Sequence, residues 1–90
     1  MTERTEFEAE LTHDNYPDVG EVVLAANERR EPHRHAFDVR GLVLHGEFFL
    51  FRNGSEERYG PGQTFRLARD CEHYERAGPG GTAYLVGRRH

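Results

Sequence analysis

The dipeptide Asn53-Gly54 constrains this chain more than any other feature. It stands between the apolar run Phe48-Phe49-Leu50-Phe51 and the segment Ser55-Glu56-Glu57-Arg58-Tyr59. A two-residue hairpin turn needs positive φ at both central positions, and Asn-Gly adopts that geometry at least cost, so an antiparallel hairpin is predicted here. Similar punctuation recurs along the chain. Asp14 to Gly20, rich in Asn, Asp, Pro and Gly, is turn chemistry leading into the β-branched run Glu21-Val22-Val23-Leu24. Gly60-Pro61-Gly62 precedes a strand with Phe65 and Leu67 on one face, and Gly78-Pro79-Gly80-Gly81 is expected to link a last strand pair, His73–Ala77 and Thr82–Gly87. In Thr5 to Leu11 the apolar Phe7, Ala9 and Leu11 alternate with Glu6, Glu8 and Glu10, a period of two that predicts an opening strand. Val39 to Leu44 and Glu47 to Phe51 are apolar on both faces, as expected where a second sheet or a partner chain covers the first. No window of a dozen residues holds a 3.6-residue apolar period, so the expected fold is an all-β sandwich or barrel. Residues 1–90 read as a single domain without repeat or linker.

Ninety residues bury only somewhat more than roughly 60% of the unfolded chain's surface, so a metal, dimerisation or both are expected to add stability. The twelve basic residues are scattered among sixteen acidic ones, for a net charge of -4. No stripe for phosphate backbones results, and nucleic acid is not an expected partner. No apolar run approaches the roughly 20 residues of a membrane span, and the polar start has no signal-peptide core, so a cytoplasmic protein without a membrane partner is expected. The one cysteine, Cys71, has no intramolecular disulfide partner, which agrees with a reducing compartment.

The segment Glu31-Pro32-His33-Arg34-His35 raises the question of chemistry. Side chains two apart on a strand share a face, so His33 and His35 are placed to grip one ion; alone, the spacing reads rather as two solvated loop histidines after Pro32. Downstream, His73 and Glu75 repeat the i, i+2 spacing. Three histidines with a carboxylate form an N and O donor set suited to a divalent transition metal, Fe, Mn, Ni, Zn or Cu, with positions left open for water or substrate. His13, His45 and His90 fall at a turn, a strand end and the terminus, and Cys71 reads as a small apolar residue rather than a ligand.

In these residues the chain resembles the cupins, small jelly-roll barrels whose first motif is a His-x-His followed by Glu and Gly and whose second is Pro-x-Gly-x-x-His. His33, His35 and Gly46 match the first motif; the second is matched by His73, with Gly62 ahead of it, while Ala68 and Asp70 stand where its Pro and Gly would be, and the two with the hairpin between them span half of the chain. The resemblance implies a double-stranded β-helix barrel, a metal held by His33, His35 and His73, and commonly a homodimer. Such a homodimer is expected to join through sheet faces or through exchanged terminal strands, with the opening strand Thr5 to Leu11 as the segment that crosses. The chain departs from the family where its ligand Glu would stand: Val39 occupies that position, with Asp38 beside it and Arg40 at the one-residue-longer spacing. Glu75 has the parity to fill the gap as ligand or acid-base group; Asp38 has the wrong parity unless a bulge re-aims it, and otherwise pairs with Arg40.

Two functions follow. One is a metal-dependent enzyme of the dioxygenase or isomerase/lyase kind acting on a small polar molecule, with Glu75 as its catalytic acid-base. The other is a non-catalytic module that binds or senses a small ligand.

Overall fold

The computed structural model describes residues 3–90. In chain order, helix α1 (Glu3–His13) is followed by strands β1 (Asp18–Leu24), β2 (Arg29–His33), β3 (Asp38–Arg52), β4 (Ser55–Tyr59), β5 (Thr64–Leu67) and β6 (His73–Arg89). Two long strands form a spine: β3 and β6 run antiparallel from the pair Asp38↔Arg89 to the pair Phe51↔Tyr74. Each also pairs with two short strands, β6 with β1 and β2, and β3 with β4 and β5. The register of the spine shifts at two places: at Leu44, between the pairs Val43↔Tyr84 and His45↔Ala83, and where Gly78 to Gly81 on β6 face only Glu47 between the pairs Phe48↔Ala77 and Gly46↔Thr82. Gly46 is needed at that point: its φ is 79° and a Cβ would lie 2.1 Å from the Gly81 carbonyl oxygen.

The hairpin stands where Asn-Gly predicts it. Arg52 pairs with Ser55, and Asn53 and Gly54 have φ of 52° and 74°. The Gly78 to Gly81 segment is corrected: it is an insertion within one 17-residue strand, β6, and not a turn between two. Its glycines and proline mark a break in the ladder that the neighbouring strands bridge.

Residues facing inward along the spine, among them Val39, Val43, Phe48, Leu50, Tyr84 and Val86, form one core with Phe65 and Leu67 of β5. The opposite face of the first half of the spine buries Leu42 and Leu85 against Phe7, Leu11 and Tyr16. The segment Thr5 to Leu11 is therefore a helix rather than the expected opening strand. Phe7 and Leu11, four apart, lie on the buried side of α1, while Ala9 is exposed. With only two apolar contacts the helix has no longer 3.6-residue period to reveal it, and Ala9 completes a false period of two. The two-sided apolar character of Val39 to Leu44 has the same cause, since α1 rather than a second sheet or partner covers the outer face. Arg40, which is buried there, donates to Glu10 Oε1 and to Asp14 Oδ2 at 2.9 Å each and fixes the helix in place. No helix among the described residues is long and apolar enough to cross a membrane.

Candidate metal centre

The β2–β6 pairing puts His33 directly opposite His73 and Arg30 opposite Glu75. His35 lies in the link between β2 and β3 and not on the strand itself, and its carbonyl accepts a 2.7 Å bond from the Asp70 N–H. The three imidazoles converge: ring centroids are 4.3 Å apart for His33 and His73, 4.8 Å for His33 and His35, and 5.2 Å for His35 and His73. One nitrogen from each ring lies within 4.8 Å of the others.

Backbone bonds set the tautomers. The Nδ1 atoms of His33 and His73 lie 2.6 Å from the Glu31 carbonyl oxygen and 3.0 Å from that of Cys71. A carbonyl only accepts, so each Nδ1 donates, and in the neutral ring each Nε2 presents a lone pair. His73 is buried, and its Nε2 is without a hydrogen-bond partner among the described residues. Leaving such an acceptor unmet costs about 1–3 kcal/mol, which a metal ion at that nitrogen would recover. Burial, reinforced by repulsion from His33 and His73, lowers the His35 pKa from its usual 6.5 to about 4, so at neutral pH this ring is an uncharged ligand. The donor chemistry fits a divalent transition metal.

Glu75 lies on the same inner face as His73 and is 5% exposed. Its Oε1 is 3.8 Å from His33 Nε2, and its Oε2 accepts a 3.4 Å bond from the Tyr84 hydroxyl. Burial, with the Glu75 charge adding to it, raises the Tyr84 pKa, so Tyr84 stays a neutral donor. In the sequence alone Tyr84 is one of several strand aromatics that read as core or dimer interface. The available clue was a hydroxyl at an inward strand position, which has to find a partner.

Asp38 belongs elsewhere, and its expected pairing with Arg40 is corrected. Its Oδ1 accepts the Arg69 N–H at 3.0 Å and its Oδ2 accepts from Arg89 at 3.1 Å, while Arg40 is occupied by α1. These bonds, the Arg69 amide first, hold the Asp38 carboxyl below its usual range. Val39 faces the core and Arg40 the helix, so neither position of the absent acid brings an oxygen inward. His13, His45 and His90 are exposed, and Cys71 is a partly buried residue packed against the core.

The histidines open into a narrow cavity with room of about 60 Å³, walled on its apolar side by Val39, Phe65, Leu67 and Val86. Its polar lining is His33, His35, His73, Glu75, Tyr84, Arg30 and Arg88.

No family model and no curated protein sequence matches the chain. Solved structures do. An RmlC-like cupin from Shewanella frigidimarina superposes with a TM-score of 0.70 at 17% identity, over 78% of this chain and 62% of that one. KdgF from Halomonas sp. gives a TM-score of 0.65 at 26% identity, over 82% of this chain and 72% of its own. The Drosophila melanogaster CENP-C cupin domain gives 0.69 at 15% identity, over 79% of this chain and 59% of that one. The chain thus spans less than two thirds of the Shewanella and Drosophila proteins.

Proposed function

We propose, for a chain whose fold is the cupin jelly-roll barrel, that it is a metal-binding protein holding one divalent transition metal through His33, His35 and His73 and taking a small polar molecule into the cavity beside them. The observation that carries this is the buried Nε2 of His73, unsatisfied and within reach of two further imidazole nitrogens. Such an ion supplies a Lewis acid with open positions, the chemistry shared by isomerases, lyases and dioxygenases. The chain's own residues do the rest. The Glu31 and Cys71 carbonyls orient two of the imidazoles. Glu75 stands beside His33 as a fourth ligand or as the group that holds a proton at its Oε1, with Tyr84 fixing its other oxygen. The apolar wall formed by Val39, Phe65 and Leu67 limits the water that reaches the site.

A second reading, a binding module without chemistry, is favoured by the valine at position 39, which leaves Glu75 as the one acidic side chain lining the cavity. Elemental analysis tests the common element of both readings. One transition metal per chain is expected, lost when His33, His35 and His73 are replaced together by Ala; a chain that takes up no metal on addition of Zn, Mn, Fe, Ni or Cu overturns it.

A further inference from the structure

The cavity has a charge balance that the metal reading leaves unused. Two arginines line the cavity beside the histidines, the exposed Arg30 on β2 and the half-buried Arg88 on β6, against the single carboxylate among its lining residues, Glu75. The Arg30 side chain makes no hydrogen bond or ion pair among the described residues, and its strand neighbour across the ladder is Glu75. Arg88 pairs across the spine with Val39, and its one ionic partner, Asp18 Oδ1, is a distant 3.6 Å away. Both cations line the same cavity as His35 and Tyr84, from different strands. A divalent ion at the histidines would add two further positive charges to a site with one acid.

We propose that the cavity is built for a small carboxylate, whose anionic end pairs with Arg30 and Arg88 while its other polar atoms reach toward His33, His35 and His73. Guanidinium and carboxylate suit each other because the planar donors match two oxygens, and a partly dry cavity strengthens the bond. Size narrows the class. A water position takes about 10–15 Å³ of such space, so 60 Å³ admits about four to six non-hydrogen atoms, the size of a two- or three-carbon acid. The proposal deepens the metal reading and rests on it only for the ligand's second anchor.

The test is an NMR titration of the full chain, metal-free and zinc-loaded, with lactate and with its uncharged counterpart lactamide as probes. Arg30→Gln and Arg88→Gln are compared with the unaltered protein. Lactate is expected to shift resonances around the cavity, lactamide to bind at least tenfold more weakly, and each variant to weaken lactate by about tenfold or more. Lactate binding that both variants leave unchanged, binding equal to that of lactamide, or no binding in either form overturns the proposal. Zinc that fails to load while lactate still binds through the arginines upholds the carboxylate site and removes the metal one, so the two readings fail separately.

Discussion

His33 and His73 are direct cross-strand partners in the β2–β6 ladder, with ring centroids 4.3 Å apart. The candidate centre is thus assembled by strand register, and a one-residue slip would turn one of the two imidazoles out of the barrel. Because a bound ion stabilises only the folded state, metal at one hundred times its dissociation constant should add about 2.7 kcal/mol, a rise on the order of 10 °C in melting temperature for a domain of this size. Replacing His33, His35 or His73 singly by Ala should abolish that metal-dependent rise, whereas His13→Ala and His45→Ala, at exposed positions, should retain it. Differential scanning calorimetry with and without zinc reads the difference, and equal behaviour of all five variants would sink the site.

The site should also respond to acid in a defined direction. His35 has a folded-state pKa near 4 against 6.5 when unfolded, so between these values the unfolded chain binds more protons. Stability of the metal-free protein is therefore complete above about pH 6.5 and declines as the pH falls toward 4, by on the order of 1–2 kcal/mol once partial solvent exposure is allowed for. Urea denaturation at pH 7 and pH 4.5 measures it, with His35→Gln expected to flatten the slope. Metal affinity should weaken over the same acid range, because protons compete for the same nitrogens.

Two carboxylates separate by their partners. Glu75 faces His33 from the inside, while both Asp38 oxygens are held by Arg69 and Arg89. Glu75→Gln should keep an oxygen for the Tyr84 hydroxyl yet lower metal affinity by about 10–100-fold, the usual effect of losing a carboxylate at or next to a metal shell. Asp38→Asn should leave affinity unchanged. Competition with a zinc chelator measures both, and the reverse order would reassign the acid.

How legible was this arrangement in the sequence? The Asn53-Gly54 turn and the alternation in Thr64–Leu67 could be read directly, because each is a local signal that tertiary packing had no reason to override. His33 and His73 were legible for a different reason: equal parity on two strands put both on one face, and the motif resemblance joined them. What could not be read were partners distant in sequence. Asp38 has Arg40 two residues away on the same strand face, yet its bonds go to Arg69 and Arg89, because the Arg40 guanidinium is taken up by Glu10 and Asp14 at the end of α1. The helix itself was hidden by its two-residue apolar stripe, and the continuity of β6 by four turn-forming residues that the sheet absorbs as an insertion.

The other half of the spine's outer face has no helix over it among the described residues. There Phe51 stacks on Tyr74 at 4.2 Å with ring planes 7° apart, Arg29 lies 4.7 Å over Tyr74, and Arg76 lies 4.2 Å over Phe49. A strip of half-buried aromatics bordered by cations is the composition of an interface centre, and for a 90-residue chain a second copy is the expected cover. Light scattering should give the mass of a homodimer, and Phe51→Glu should give that of a monomer. A monomer for the unaltered chain at micromolar concentration would remove the expectation.

Helix α1 gives a last prediction, because its grip on the barrel is concentrated in few atoms. Leu11 is fully buried, and its side chain lies against Gly87 of β6 so closely that a Cβ there would come within 2.7 Å of it. Leu11→Ala should therefore cost about 2–5 kcal/mol, as large-to-small changes at fully buried sites do, with the upper part expected because the rigid strand beneath cannot move in to fill the space. Gly87→Ala should be destabilising for the opposite reason, since it pushes the leucine away, and the double variant Leu11→Ala with Gly87→Ala should recover part of both losses. Urea denaturation of the four proteins closes the cycle. Additive losses would show that the helix docks independently of that contact, and recovery would show that α1 is seated on Gly87.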